Sequence, residues 1–429
     1  MIKRMILTSL IVTFMVTCLY SQELVKTGGF ARLAGMGGNP YVMDPFFNTV
    51  NPAWNSVYDN FVLGDLGSSA GAPFSAGGSG QYLSGSFRIG RNWTLGGILA
   101  RNDFNGMSIA LLDPGSNNSI GLPFPGVVSS VNSLRGAGSV IPLDNNVELI
   151  GTYSFGNTAL GLGIAYASTT NNFTPATGTS SEGSASQLGF NLGIVTDITS
   201  GITLDIGGSF IMPSASYKLS LSTDNETAAS QTIILINGRA FWNINPKLQF
   251  VPIVVFASAS GTLDSGITST GSSDLISFSS IGFGGGLNYQ VGDFLLAGGV
   301  IFSTNSQTIP AIQGLSPEQS NSATIFPLWN FGVEWNLLDW LVGRFGYVAI
   351  SGSATVEEPT PPLPSTSLDE SVFSFFGTPQ RGATVGVGFR FGDFSLDATV
   401  NEDVLRQGFN NIGGGGASFA YLTASYAMP

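Results

Sequence analysis

The stretch ATVGVGFRFGDFSLDATV, residues 383–400, decides the fold once its dry side is known. Ala383, Val385, Val387, Phe389 and Phe391 fall on one face, and Thr384, Gly386, Gly388 and Arg390 on the other. After Gly392-Asp393 the alternation resumes, with Phe394, Leu396, Ala398 and Val400 set against Ser395, Asp397, Thr399 and Asn401. Period-two alternation on both sides of a two-residue turn predicts a β-hairpin. A soluble sandwich would turn the large residues inward, whereas a membrane barrel would turn them to lipid and keep the glycines and charges in its lumen.

Composition chooses between these. Of 429 residues 58 are Gly and 31 Phe, only 10% are charged, and there is no His. An ordinary soluble domain is about one quarter charged, so this chain has too little charge to clothe a water-facing surface of its size. Mean hydropathy is +0.27, yet no apolar run long enough for a spanning helix occurs beyond the N-terminus. Lipid admits one other spanning architecture, the closed β-barrel, because every backbone polar group must be satisfied within the protein. The expected fold is therefore all-β, an antiparallel up-and-down transmembrane barrel.

The start, MIKRMILTSLIVTFMVTCLYSQE, sets Lys3 and Arg4 before an apolar run reaching about Tyr20. This predicts a signal peptide over residues 1–21, cut after Ser21, with a cut after Cys18 or a retained anchor helix as the alternatives. Cleavage before Cys18, as in a lipoprotein, is disfavoured by Thr17. Cut after Ser21, the mature chain has no cysteine, which removes disulfides, thiol catalysis and cysteine metal ligands. The net charge of -12, with scattered basic residues, disfavours a nucleic-acid partner.

Alternation recurs along the chain. Leu160, Leu162, Ile164 and Tyr166 oppose Ala159, Gly161, Gly163 and Ala165; Leu188, Phe190, Leu192 and Ile194 oppose Gln187, Gly189, Asn191 and Gly193. Ile202, Leu204, Ile206 and Phe210 oppose Thr203, Asp205, Gly207 and Ser209, and Trp329, Phe331, Val333 and Trp335 oppose Asn330, Gly332, Glu334 and Asn336. Segments of about ten residues suit a tilted bilayer strand. Seven tight connections, near residues 91–92, 156–157, 197–201, 243–247, 291–293, 337–339 and 392–393, alternate with long stretches rich in Ser, Thr, Gly, Asn and Pro. Short turns at one end and long loops at the other is the layout of an outer-membrane barrel. The long loops are expected at 68–80, 102–146, 169–185, 214–230, 260–275, 304–324, 352–380 and 402–416, with the acidic, Pro-rich EEPTPPLPSTSLDE, residues 357–370, as an exposed tip.

Trp93, Phe155, Trp242, Tyr289, Phe294, Trp335, Trp340, Phe391 and Phe394 crowd around the tight turns, as an interfacial girdle requires. Seven turns imply fourteen strands, and a strand before them (about 59–67) and after them (about 417–427) gives sixteen. Both chain ends then lie in the periplasm. With the large residues on lipid, Arg88, Glu148, Asp205, Arg239, Glu334, Arg344, Arg390 and Asp397 point into the lumen, either as pairs bracing the wall or as a polar lining that selects solutes.

Residues 22–58 do not alternate, and read as an N-terminal plug ahead of a barrel over 59–429. In ARLAGMGG, residues 31–38, and NPAW, residues 51–54, the chain resembles the outer-membrane FadL/TodX family and the related PorV-like proteins. QYLSGSFRIGRNWTLGGILA, residues 81–100, also looks like that group's early hairpin, although NPYVMDPFFNTV stands where an acidic, alanine-rich linker is common. The resemblance implies a fourteen-stranded barrel, in tension with the turn count, and a plug, or hatch, in the lumen. It implies passage of hydrophobic compounds such as long-chain fatty acids through a kinked or gapped wall, or, for the PorV-like proteins, service to a protein-secretion machine. Arg32, Gly35, Met36, Gly37, Gly38, Phe46, Phe47, Asn51, Pro52 and Trp54 are then the plug or gate residues next to a ligand. The glycines would let the backbone approach the wall, and Pro52 would stiffen a turn. Either a static stopper or a movable gate fits.

Without His there is no Ser-His-Asp triad and no histidine metal ligand. Asp224 with Glu226 and Glu357 with Glu358 read as solvated loop acids, and Gly282–Gly286 lacks the strand-to-helix setting and the lysine of a phosphate loop. The expectation is a non-enzyme of the bacterial outer membrane with no cofactor and no metal, whose partners are outer-membrane lipid and a hydrophobic or amphiphilic ligand that it passes without covalent chemistry. The alternative is a scaffold for secretion-machinery proteins or a surface adhesin.

Overall fold

The hairpin at 383–400 pairs as its alternation predicts. Phe389 lies opposite Leu396, Gly388 opposite Asp397 and Phe391 opposite Phe394. Asp397 and Ser395 are fully buried, while Phe391 and Phe394 are exposed. The large residues are therefore on the outside. The structure is a computed structural model that describes residues 28–65, 82–101, 126–143, 145–176, 178–219, 226–266, 272–311, 318–358, 366–373, 383–400 and 419–428. The predicted signal peptide lies outside the described residues.

The strands are β1 (Phe61–Asp65), β2 (Tyr82–Ile89), β3 (Trp93–Arg101), β4 (Asn145–Phe155), β5 (Thr158–Phe173), β6 (Ser181–Thr199), β7 (Ile202–Leu219), β8 (Glu226–Asn245) and β9 (Leu248–Asp264). They continue with β10 (Ser272–Asp274), β11 (Ser277–Val291), β12 (Phe294–Ile309), β13 (Gln319–Leu338), β14 (Leu341–Glu358), β15 (Thr366–Phe373), β16 (Ala383–Phe391), β17 (Phe394–Val400) and β18 (Phe419–Ala427). Sixteen of them form a closed antiparallel ring, in which β9 pairs with β11, β14 with β16, and β18 with β1. β10 and β15 extend the rims of β9 and β14. The turn count of sixteen holds, and the fourteen implied by the family resemblance does not. Closure leaves no unpaired edge, which is what permits strands to span lipid. Among the described residues no helix is long and apolar enough to cross a membrane.

The outer face is an apolar belt. Leu149 is 68% exposed, Leu192 60% and Phe283 56%, and all nine aromatic residues near the tight turns are exposed. No aqueous surface carries apolar side chains at that density, so this is the wall of an outer-membrane-type barrel.

Two expectations of the sequence are corrected. Strands are longer than about ten residues, since β8 and β13 have 20 each. At about 3.4 Å per residue they far outreach an apolar band roughly 25 Å tall. Of the described residues in the stretches read as loops at 169–185, 214–230, 260–275 and 304–324, most are strand. Their backbones stay paired, with hydroxyl contacts such as Ser186 to Ser214 (2.9 Å) and Ser279 to Ser306 (2.8 Å) across the pairs, because above the membrane neither face needs to be apolar. Likewise Glu226 begins β8, Glu357 and Glu358 end β14, and Thr366–Phe373 is a strand within the expected loop 352–380. Asp224 lies outside the described residues. In the expected loop 102–146, Val127–Arg135 forms helix α2, with α1 reserved for Phe30–Gly35. Val127, Val128, Val131, Val140 and Leu143 bury against small lumen-facing wall residues Ala167, Ala185, Ala215 and Ala229.

Candidate functional site

Residues 28–60 touch the inner face of the wall almost all the way round. Asn48 donates to Ser84 Oγ of β2 (2.8 Å), and Thr152 of β4 donates to the Pro52 carbonyl (2.9 Å). Asn288 of β11 donates to the Tyr41 carbonyl (2.6 Å), Asn39 donates to the Ala297 carbonyl of β12 (2.9 Å), and the Ala31 amide donates to Thr423 Oγ1 of β18 (3.0 Å). The segment enters from the end of the tight turns, where exposed Arg88 pairs with Asp59. It folds as α1 and two 3-10 turns, Pro45–Thr49 and Pro52–Ser56. Each 3-10 turn starts at a proline and is capped by the preceding side chain: Asp44 accepts from the Phe46 amide and Asn51 from the Ala53 amide, both at 2.9 Å.

The inward glycines of the strands are sockets for this segment. A Cβ on Gly161 would strike the Ala53 amide nitrogen, one on Gly193 the Asn51 side chain, and one on Gly207 the Val50 carbonyl. Gly286 and Gly299 make room for the Tyr41 ring, and Gly346 for Gly37, whose φ of +73° also demands glycine. Around these contacts lies an apolar core of Leu33, Met36, Tyr41, Phe46, Trp54 and Tyr58 with wall residues Ile98, Ile150, Phe241 and Leu295. The lumen face is thus not uniformly small and polar, as its alternation suggested: Ile98, Ile150, Phe241 and Leu295 of the wall join the core.

Charges pair in two groups. Arg32 on α1 donates from Nε and Nη2 to both Glu334 oxygens (2.9 and 3.0 Å) and from Nη1 to Asp44 (2.9 Å). Arg344 bridges Glu334 (2.6 Å) and Asp397 (2.7 Å), and Arg390 also meets Asp397 (2.9 Å). Burial pushes the Asp44 carboxyl above its usual range, with the Arg32 guanidinium pulling the other way. In the second group Arg239 holds Asp205 through Nε (2.9 Å), donates to the Pro40 carbonyl (2.9 Å) and covers the Phe47 ring at 3.8 Å. Asn51 Nδ2 completes it with a 2.6 Å bond to Asp205.

The structure therefore brings Arg32, Glu334, Arg344, Arg390 and Asp397 together, and separately Phe47, Asn51, Asp205 and Arg239. Gly35 lies on Gly386, Phe46 and Trp54 are buried in the lumen core, and Gly38 has open space around its Cα. Arg88 sits at the rim, and Glu148 belongs to neither group. Asp44, Asn39, Tyr41 and α2 escaped the sequence reading. Arg32 and Asp44 form an opposite-charge pair within a Gly- and Pro-dense stretch, a signal that was available. Among the described residues no group of three potential metal ligands occurs.

On the outer face, β11 to β14 enclose a concavity of about 620 Å³. Leu287, Leu296, Val300, Trp329 and Phe331 line it, and Ala297, Gly298 and Gly299 form its floor. Behind Gly299, on the lumen side, stands the Tyr41 ring.

No protein-family model matches the chain, and no curated protein matches it. Among solved structures it is similar to the P. putida toluene transporter TodX, at 11% identity and a TM-score of 0.34 over 95% of this chain and 99% of that one. It is also similar to the ferric-catecholate import receptor Fiu from E. coli K12, at 10% identity and a TM-score of 0.33 over 85% and 81%. A third is the FrpB iron transporter from Neisseria meningitidis, at 9% identity and a TM-score of 0.38 over 82% and 63%. At such scores these likenesses carry no argument, and the assignment as an outer-membrane-type barrel rests on the closed ring and its apolar exterior.

Proposed function

We propose that the protein passively passes hydrophobic or amphiphilic small molecules across the outer membrane, with residues 28–58 acting as the plug. The observation that carries this reading is the apolar concavity over β11 to β14. It opens toward the lipid, its floor is a strip of Ala and Gly with no bulky side chain, and the next atoms inward are the Tyr41 ring of the plug. An apolar solute held there is one wall thickness from the lumen segment. Displacement of Tyr41 and of the neighbouring Met36-Gly37 stretch from their glycine sockets would open the way inward. The two charge groups anchor the plug on either side of that path, so Arg32, Phe47, Asn51 and Arg239 act in holding the gate and do not touch the solute.

The test is uptake of radiolabelled long-chain fatty acid and of a monoaromatic hydrocarbon by cells whose own outer-membrane channels for them are deleted. Expression of this chain should raise uptake of at least one, and Val300→Trp, which places a bulky ring in the concavity, should lower it. Uptake with the wild-type chain no higher than with an empty vector, with loss of a set of secreted proteins on gene deletion, would replace this reading with the secretion-scaffold one.

A further inference from the structure

The wall carries a second concavity, of about 690 Å³, reaching from β7 to the start of β13. It sits where β10 and β11 part. β9 pairs with β11 as far as Ala259 and with β10 from Thr262 onward. Between the two short registers Leu275 dips through the wall: its amide donates to the Gly261 carbonyl (2.9 Å), and its side chain is buried with Val127 and Val131 of the α2 insert. The dip leaves a dent outside.

Alternation shows that the dent faces outward. On β8 Ala229 and Ile233 are buried on the lumen side, so Ser230 and Thr232, which line the dent, share the outer face with Ile234. On β9 Ala259 is buried, and Ser260 and Thr262 line the dent on the face of Phe256. Ile234 and Phe256 are exposed members of the apolar belt, as is Phe210 on β7. The nearest lining residue, Thr232, is two positions beyond Ile234, and the farthest on β9, Thr262, is six beyond Phe256. At about 3.4 Å per residue the dent thus covers roughly 7 to 20 Å of strand past the belt edge. A lipid whose acyl chains lie on the belt has its head group at that level.

The lining selects the kind of head group. Hydroxyl pairs are common on the upper wall, but here Ser230 and Thr262 (3.2 Å apart) line a concave surface together with the Asp274 and Glu318 carboxylates. Among the described residues no basic side chain lines it, so an anionic phosphate head finds two like charges and no counter-charge. A neutral sugar suits it better: its hydroxyls donate to the carboxylates and exchange bonds with the Ser and Thr hydroxyls, while its C–H faces meet Met212 and Pro310.

We propose that this dent binds the neutral saccharide head of a membrane glycolipid whose acyl chains run down the belt beside Phe210, Ile234 and Phe256. The site rests on the lipid-facing wall and is independent of any transport through the lumen. The experiment offers the purified full-length protein, in detergent, equal amounts of digalactosyl diacylglycerol, phosphatidylglycerol and phosphatidylethanolamine with matched acyl chains, and reads the retained lipid by native mass spectrometry. The galactolipid should be retained about tenfold over either phospholipid. Ser230→Ala combined with Thr262→Val, both at exposed positions, should remove about tenfold of that preference through the loss of two hydroxyl contacts. Cryo-electron microscopy in nanodiscs containing the galactolipid should show sugar density between Thr232 and Asp274, a readout that stands even if the double variant fails to fold. Equal retention of the three lipids, preference for a phospholipid, a galactolipid preference undiminished in the double variant, or sugar density only elsewhere would overturn the site.

Discussion

At the residue scale, space counts for more than polarity. Gly161 and Gly97 are both strand glycines, but Gly161 faces Ala53 of the plug, while Gly97 faces outward with nothing nearer its Cβ position than the Glu148 carbonyl at 3.5 Å. Gly161→Ala should therefore destabilise the protein by about 1–3 kcal/mol, as overpacking does, and Gly97→Ala should be close to neutral. Urea unfolding in detergent would check both. Arg344 presents the opposite case, a cation shared by Glu334 and Asp397 with its side chain fully buried. Arg344→Met strands part of that network and should cost about 3–5 kcal/mol. The alternation of the sequence put both glycines in strands and Arg344 in the lumen. It was silent on what stood opposite them, because the contacts with the N-terminal segment are distant in sequence: Ala53 lies about a hundred positions from Gly161, and Arg32, which shares Glu334 with Arg344, lies 302 positions from Glu334.

At the element scale, the plug and the α2 insert have unequal sequence signatures. Residues 22–58 stood out by failing to alternate, and Pro52 marked one of the two 3-10 turns, whereas Pro45, which starts the other, went unread. The helix at Val127–Arg135 did not. Its VVSSVNSLR has few helix formers, and its stability comes from Val127, Val128 and Val131 fitting against wall alanines, a tertiary effect. The upper strand extensions were hidden for a related reason: once both faces are Ser and Thr, no period marks the strand. If the plug closes the lumen, removing residues 28–58 should turn a closed barrel into a conducting one. Single-channel recording in planar bilayers should show large, steady openings for the truncated protein and none or rare ones for the intact one. Equal conductance of the two would show that the plug blocks nothing.

At the scale of the whole molecule, the strand count and the sidedness of the wall were legible, because they depend on local period and on turns of two or three residues. The tight-turn girdle adds packing of its own, with Phe294 and Trp335 stacked at 5.0 Å across β12 and β13. What no local pattern could show is that residues 28–60 and 127–143 pack against the inner face of the wall. The central claim is that the outer residues meet acyl chains while the inner ones meet the plug. Nitroxide labels placed singly at Leu149, Leu192 and Phe283, and at Thr152 and Asn330 on the lumen face, test it directly after reconstitution in liposomes. The barrel predicts that the first three are relaxed strongly by oxygen and weakly by a water-soluble nickel complex, and that the last two are immobile and shielded from both. Outer labels that are immobile and shielded from oxygen, or readily reached by nickel, would contradict it.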